Sequence, residues 1–315
     1  MNKNMDFTIW QEKQRKKLYN LLGDLPSRDY PIKVIEKEEI EQEKYILEKI
    51  ILDLNGEEMV PAYLVKPKNF SGKLPAILFN HSHGGKYEWG KEELIKGNSY
   101  MYQPPYAEEI VQLNCIGLCI DHYNFGERSG RTEWNLYKAL IWQNKVLWGL
   151  MVFDSLKAID YLVSRPDIDS HRIGTLGMSM GSTMAWWISA LDTRIKVCID
   201  ICCLTDFHTY LEIGNLEGHG IYYFVPGLIK YFSTAKINSL IAPRFHLSLN
   251  GNFDSLTPVK GLEKIDKELK KIYDKSGASE NWKILRFNIG HRETFYMRKK
   301  IIEFLKTHLL NTEGK

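Results

Sequence analysis

The sequence predicts a mixed α/β domain built on a mostly parallel, doubly wound sheet, and three observations carry that expectation. From Leu74 onward, strand-like apolar runs alternate with stretches of helical period, the pattern of repeated β–α units. Residues 75–80 and 115–121 are apolar almost without interruption, as strands covered on both faces are. Finally, Gly177-Met178-Ser179-Met180-Gly181 joins a strand-like run, 172–176, to a helical pattern, 182–188. A turn that sharp needs glycines where a Cβ would strike the neighbouring strand or helix.

In chain order, residues 7–22 place Phe7, Trp10, Leu18, Leu21 and Leu22 among charges and stop at Gly23, which reads as an amphipathic helix. Residues 45–54 and 59–65 read as a β-hairpin around Asn55-Gly56, with Pro61 confining the second strand to an edge or a strand start. Strand 75–80, a helix near 106–113 and strand 115–121 follow. A long helical region over about 134–163 ends at Arg165-Pro166, because proline cannot continue the ladder. After the serine turn and strand 195–201, residues 206–240 break the rhythm with seven aromatics and scattered glycines. Strand 245–250, a helix near 258–274, strand 282–287 and a final helix over about 293–310 complete the chain. The expected organisation is a single domain over 1–315, with an N-terminal helix and hairpin extension (1–70) and an inserted cap (206–240).

Composition bounds the partners. With 44% hydrophobic and 26% charged residues the chain is an ordinary globular protein, and 42 Lys and Arg against 39 Asp and Glu give no case for nucleic acid. The first residues lack the apolar core of a signal peptide, and the longest apolar stretch, around 146–153, is too short to span a bilayer. No membrane association and a cytoplasmic location are therefore expected. The five cysteines, Cys115, Cys119, Cys198, Cys202 and Cys203, read as buried reduced thiols; no C-x-x-C pair has a matching half for zinc.

The chemistry depends on which loops follow which strands, because ligands bind beyond the carboxyl ends of a parallel sheet. A serine hydroxyl is a weak nucleophile and needs a base, itself held by a carboxylate. After Ser179 the sequence offers Asp254, just past strand 245–250, and then His291, just past strand 282–287. Asp206 is the second choice of acid. The oxyanion needs two donors: the backbone N–H of Met180, after the nucleophile, and one from His81-Ser82-His83-Gly84-Gly85, with His83 preferred and Ser82 second. A metal site on His81 and His83 is the competing reading, ranked lower because Gly84-Gly85-Lys86-Tyr87 follow where further ligands are wanted.

Taken together, the turn at Ser179, the His81–Gly85 stretch, Asp121 with Phe125-Gly126-Glu127-Arg128, Asp167-Ile168-Asp169 leading to Arg172-Ile173-Gly174, Asp254 to Pro258, and Gly290-His291 carry a family resemblance. The chain resembles the dienelactone hydrolase-like and acetyl xylan esterase-like branch of the α/β-hydrolase superfamily, and also the catalytic domain of prolyl oligopeptidases. The resemblance implies an α/β-hydrolase fold and a serine hydrolase that cleaves carboxylic esters, acetyl or other short acyl esters among them. It implies a small-molecule ester substrate and no cofactor. Dienelactone hydrolase itself uses cysteine, so Ser179 points to ordinary esters. Ser82 stands where many relatives have glycine, and no propeller-sized domain precedes the sheet. A serine peptidase and a non-catalytic binding module on the same fold are the alternatives.

Overall fold

The computed structural model describes residues 3–311, with side chains from Asp6 onward. Nine strands form one sheet: β1 (Lys33–Glu41), β2 (Ile46–Asp53), β3 (Val60–Lys66), β4 (Leu74–Asn80), β5 (Ile116–Ile120), β6 (Ile168–Met178), β7 (Ile195–Ile201), β8 (Phe245–Gly251) and β9 (Trp282–Phe287). Their spatial order is β1-β2-β3-β5-β4-β6-β7-β8-β9. The first three are antiparallel, β3 runs antiparallel to β5, and β5, β4, β6, β7, β8 and β9 are mutually parallel. The carboxyl ends of the parallel strands therefore lie along one rim.

Within the parallel strands successive residues feed opposite faces. In β4, Ala76 and Leu78 join one apolar cluster with Leu118, Trp148 and Trp186. Ile77 and Phe79 join the other with Cys119, Leu176, Ile199 and Met297. This is the period-two geometry of a strand covered on both sides, and it accounts for the unbroken apolar runs.

The N-terminal helix runs over Lys3–Asn20, somewhat earlier than the apolar pattern suggests. It is held to the body by polar bonds as well as by packing. Gln11 Nε2 donates to the carbonyls of Ser239 and Ala242 at 3.0 and 2.7 Å, and Arg15 reaches those of Ala190 and Leu240. The hairpin of β2 and β3 is present, but its connection is longer than a two-residue turn. Asn55 Oδ1 accepts from the N–H groups of Glu57 and Glu58, and Asp53 from that of Gly56, which lies at φ +74°. Pro61 sits at the start of β3, where a missing N–H is tolerated.

Strand β1 was not expected from the pattern. Its sequence, KVIEKEEIE, is exposed along nearly its whole length. An edge strand with no buried face leaves no apolar alternation to read, and its charges protect the open edge from pairing with another chain. The helical region over 134–163 is two helices, Glu133–Trp142 and Leu147–Ser164, broken at Gln143-Asn144-Lys145 with Asn144 at φ +56°. Between β7 and β8 the chain forms short helical pieces, including Phe207–Ile213, Leu228–Tyr231 and Thr234–Asn238. All five cysteines are buried free thiols, and burial pushes Cys115 and Cys203 up to about 12. Among the described residues no helix is long and apolar enough to cross a membrane.

Candidate active site

The serine turn occupies the centre of the parallel rim. Ser179 has φ +56° and ψ −119°, a backbone conformation costly for any residue with a side chain, and it caps the helix Met180–Leu191. Its N–H donates to the Ile201 carbonyl at 2.9 Å, tying the turn to the end of β7. Both flanking glycines are demanded by close approach. A Cβ on Gly181 would lie 1.9 Å from the Asn80 carbonyl oxygen, and one on Gly177 would lie 2.4 Å from the Gly181 oxygen. Backbone, not flexible side chain, fills both spaces. Met180 opens the helix, so its N–H has no intrahelical acceptor.

Asp254 and His291 are brought together by two loops at the ends of β8 and β9. Asn252 N–H donates to the Phe287 carbonyl at 2.7 Å and Phe253 N–H to that of Ile289 at 2.9 Å. Gly251 permits this approach, since a Cβ there would meet the Ile289 oxygen at 2.4 Å. The Asp254 carboxylate is divided between two donors: Oδ1 accepts the Leu256 N–H at 3.0 Å, and Oδ2 lies 2.7 Å from His291 Nδ1. An ionised carboxylate only accepts, so Nδ1 carries the proton and Nε2 presents its lone pair. The Asp254 side chain is 1% exposed and that of His291 26%. Ser179 is half-buried. The histidine loop also meets the end of β7, where the Cys202 thiol donates to the Arg292 carbonyl.

Asp206, the second choice of acid, has a different occupation. It caps the helix Phe207–Ile213, accepting from Thr209 N–H at 3.0 Å and Thr209 Oγ1 at 2.7 Å.

The loop after β4 is set by two buried partners. His81 Nδ1 lies 2.9 Å from the Ser82 carbonyl, which can only accept, so Nδ1 bears the proton. Its Nε2 accepts the His122 N–H at 3.2 Å. Ser82 N–H donates to Glu93 Oε1 at 2.9 Å, and Ser82 Oγ lies 2.5 Å from Glu93 Oε2. The Ser82 N–H is thus already occupied, while the His83 N–H stands opposite the Ser82 carbonyl across a trans peptide and points away from His81. The His83 ring is engaged as well: Nδ1 accepts the Gly85 N–H at 3.0 Å, so Nε2 donates to the Tyr222 hydroxyl at 2.8 Å. Burial pulls both His81 and His83 down to about 4, which keeps them neutral. With three of the four ring nitrogens bonded to backbone and the fourth to Tyr222, the H-x-H pair serves loop geometry. Among the described residues no group of three or more His, Cys, Asp or Glu could hold a metal ion.

Three contributors escaped sequence reasoning. Tyr222 comes from the segment between β7 and β8, where it is one of seven aromatics that look alike in sequence. Glu93 sits in Lys91-Glu92-Glu93, and nothing in that triplet marks the buried carboxylate. Glu293 follows His291 by two residues and accepts from Tyr102 N–H, Tyr106 Oη and Arg298. It fastens the histidine loop to residues 102–106, and only its closeness to His291 could have drawn attention to it. The remaining aromatics of that segment largely anchor it: Phe207 packs on Trp186 and Tyr223 on Trp148.

Comparison with known proteins follows the same lines. The chain matches the acetyl xylan esterase (AXE1) family model over residues 33–239, a span that holds the serine turn and the His81–Gly85 loop but ends before Asp254 and His291. It is 49% identical over 296 residues to YtaP of Bacillus subtilis, a protein named as a hydrolase; the match covers 94% of this chain and 99% of YtaP. In fold it is similar to methylesterase BT1017, with a TM-score of 0.71 at 18% identity, covering 96% of this chain and 64% of that one. It is likewise similar to the acetyl xylan esterase of Paenibacillus sp. R4, with a TM-score of 0.64 at 17% identity over 96% and 95% of the two chains. Both the sheet and the sequence therefore lead to one conclusion: this chain belongs to the acetyl xylan esterase (AXE1) family of the α/β-hydrolase superfamily and is a carboxylic ester hydrolase.

Proposed function

We propose that the ester is cleaved by a Ser179–His291–Asp254 triad through an acyl-enzyme, and that the substrates are acetyl or other short acyl esters of small hydroxylated molecules. The observation that carries this reading is the 2.7 Å bond between Asp254 Oδ2 and His291 Nδ1, on loops that follow β8 and β9 at the same rim of the sheet as the strained serine turn after β6. That bond fixes the tautomer in which Nε2 is free to take a proton. In the proposed mechanism His291 Nε2 removes the Ser179 proton as Oγ attacks the ester carbonyl. The backbone N–H groups of Met180 and His83 receive the oxyanion, where their fixed dipoles oppose developing negative charge at no reorganisation cost. Collapse of the tetrahedral species expels the alcohol, protonated by His291, and leaves the acyl group on Ser179. Water, deprotonated by the same imidazole, then releases the acid. Asp254 stays ionised and stabilises the imidazolium.

The short-acyl preference draws support from the family, whose description names acetyl xylan. Within the segment between β7 and β8, an apolar cavity of about 220 Å³ is lined by Phe207, Tyr210, Leu216, Tyr223, Phe224 and Leu228. Tyr210 and Tyr223 flank His219, which lies within electrostatic reach of Asp254 and His291, so this segment forms one wall near the site in the proposed reading.

A fluorophosphonate probe tests the mechanism: it should attach to Ser179 in the wild type and fail to attach in Ser179→Ala. A folded wild-type sample that resists labelling would refute the acyl-enzyme on Ser179. Acetylated sugars, p-nitrophenyl esters of rising chain length and dipeptidyl amides, run side by side, separate esterase from peptidase.

A further inference from the structure

We propose that Glu93 is a positioning residue for the oxyanion loop, a buried carboxylate that sets the peptide from which the His83 N–H projects. The inference rests on the serine-hydrolase reading above.

Glu93 opens the short helix Glu93–Lys96 and is completely buried. An isolated carboxylate in such a place is costly unless several donors surround it. Here they do. Oε1 accepts the Ser82 N–H at 2.9 Å; Oε2 lies 2.5 Å from Ser82 Oγ, 3.0 Å from Asn98 Nδ2 and 3.3 Å from Tyr100 Oη. Tyr100 Oη also lies 2.5 Å from Ser82 Oγ and accepts from Asn98 Nδ2 at 2.7 Å. The carboxylate thus grips Ser82 by both its backbone and its hydroxyl, while His81 grips the Ser82 carbonyl from the other side. Two successive peptide planes are fixed, the second being the one that carries the His83 N–H.

The network reaches the other half of the site too. The Tyr100 ring lies 6.3 Å from the His291 ring, and the Tyr100 carbonyl accepts the Glu293 N–H at 2.8 Å. The loop bearing the oxyanion donor and the loop bearing the base are therefore referenced to the same buried group. In a relative with glycine at position 82 the hydroxyl half of this grip has no counterpart. Ser82 in this chain reads as the partner of Glu93, not as a surplus side chain.

Donors aimed at an oxyanion act in the transition state and hardly at all on bound substrate, so misaligning one lowers kcat and spares KM. Loss of a single oxyanion donor costs ~10²–10³ in kcat. Glu93→Leu removes both grips on Ser82 and should lower kcat ~10²-fold, with KM within about twofold of wild type. Glu93→Gln retains a carbonyl for the Ser82 N–H but meets the Ser82 hydroxyl with an amide, so it should fall between the two, ~3- to 10-fold below wild type in kcat, with binding of a trifluoromethyl ketone weakened by the same factor. Rates are taken per active site, titrated with a fluorophosphonate, so that a loss of folded enzyme does not register. Unchanged kcat per titrated site in Glu93→Leu would overturn the proposal. Should that variant fail to fold, unchanged kcat and unchanged ketone affinity in Glu93→Gln would overturn it equally. Absence of wild-type labelling at Ser179 would instead remove the serine mechanism itself, a separate outcome.

Discussion

Glu48 offers the most quantitative test of how the antiparallel edge is joined to the parallel half of the sheet. Its carboxylate, completely buried in β2, meets Arg165 Nη1 at 2.9 Å, Lys66 Nζ at 2.8 Å and Lys37 Nζ at 3.0 Å. Arg165 ends the helix that leads into β6, the strand carrying Ser179. Burial alone would raise the carboxyl pKa, but the bonds from Arg165, Lys66 and Lys37 outweigh it and hold the group at about 2, down from 4.5. At about 1.4 kcal/mol per pH unit, that displacement corresponds to about 3 kcal/mol of folding free energy. Because the folded-state value lies below the unfolded one, this stability is present above pH 4.5 and is lost as pH falls toward 2. Urea unfolding of wild type and Glu48→Gln across this range isolates the contribution, since other carboxylates cancel in the difference. The wild type should be more stable by about 3 kcal/mol at pH 7, with the gap narrowing below pH 4.5 and closing near pH 2. A gap independent of pH, or smaller than about 1 kcal/mol at pH 7, would refute the reasoning.

Four further outcomes are expected. Ser179→Ala should reduce kcat by ~10⁶ while leaving the fold intact, and a loss under about tenfold would remove Ser179 from the chemistry. Asp254→Asn should cost ~10⁴ in kcat by favouring the wrong His291 tautomer. Asp206→Asn should leave both rate and stability near wild type, because asparagine caps a helix as well as aspartate does; the reverse ranking would reassign the acid. Gly181→Ala should destabilise by about 3 kcal/mol, since its methyl group would overlap the Asn80 backbone, and an unchanged melting temperature would contradict that packing.

The parallel half of the fold was readable because strands covered on both faces leave unbroken apolar runs and helices leave a periodic stripe. β1 was not, because a charged edge strand buries nothing that a pattern can reveal. The break at Asn144 was missed for a related reason: apolar period continues on either side of a turn set by one left-handed residue. The positions of Ser179, Asp254 and His291 after their strands were legible from motif and chain order. Their supports were not. Glu93, Tyr100 and Glu293 act through distances across the fold, and a buried glutamate has the same letter as an exposed one.

The uncharged state of His83 bears on turnover after bond cleavage. Hydrolysis of an ester yields a carboxylate, and a full cation beside the proposed oxyanion donors would detain that anion as firmly as it assisted the reaction. With one ring nitrogen filled by the Gly85 N–H and the other donating to Tyr222, the imidazole carries no net charge near neutral pH. The pocket in the proposed mechanism thus polarises with backbone dipoles while giving the departing acid little reason to stay.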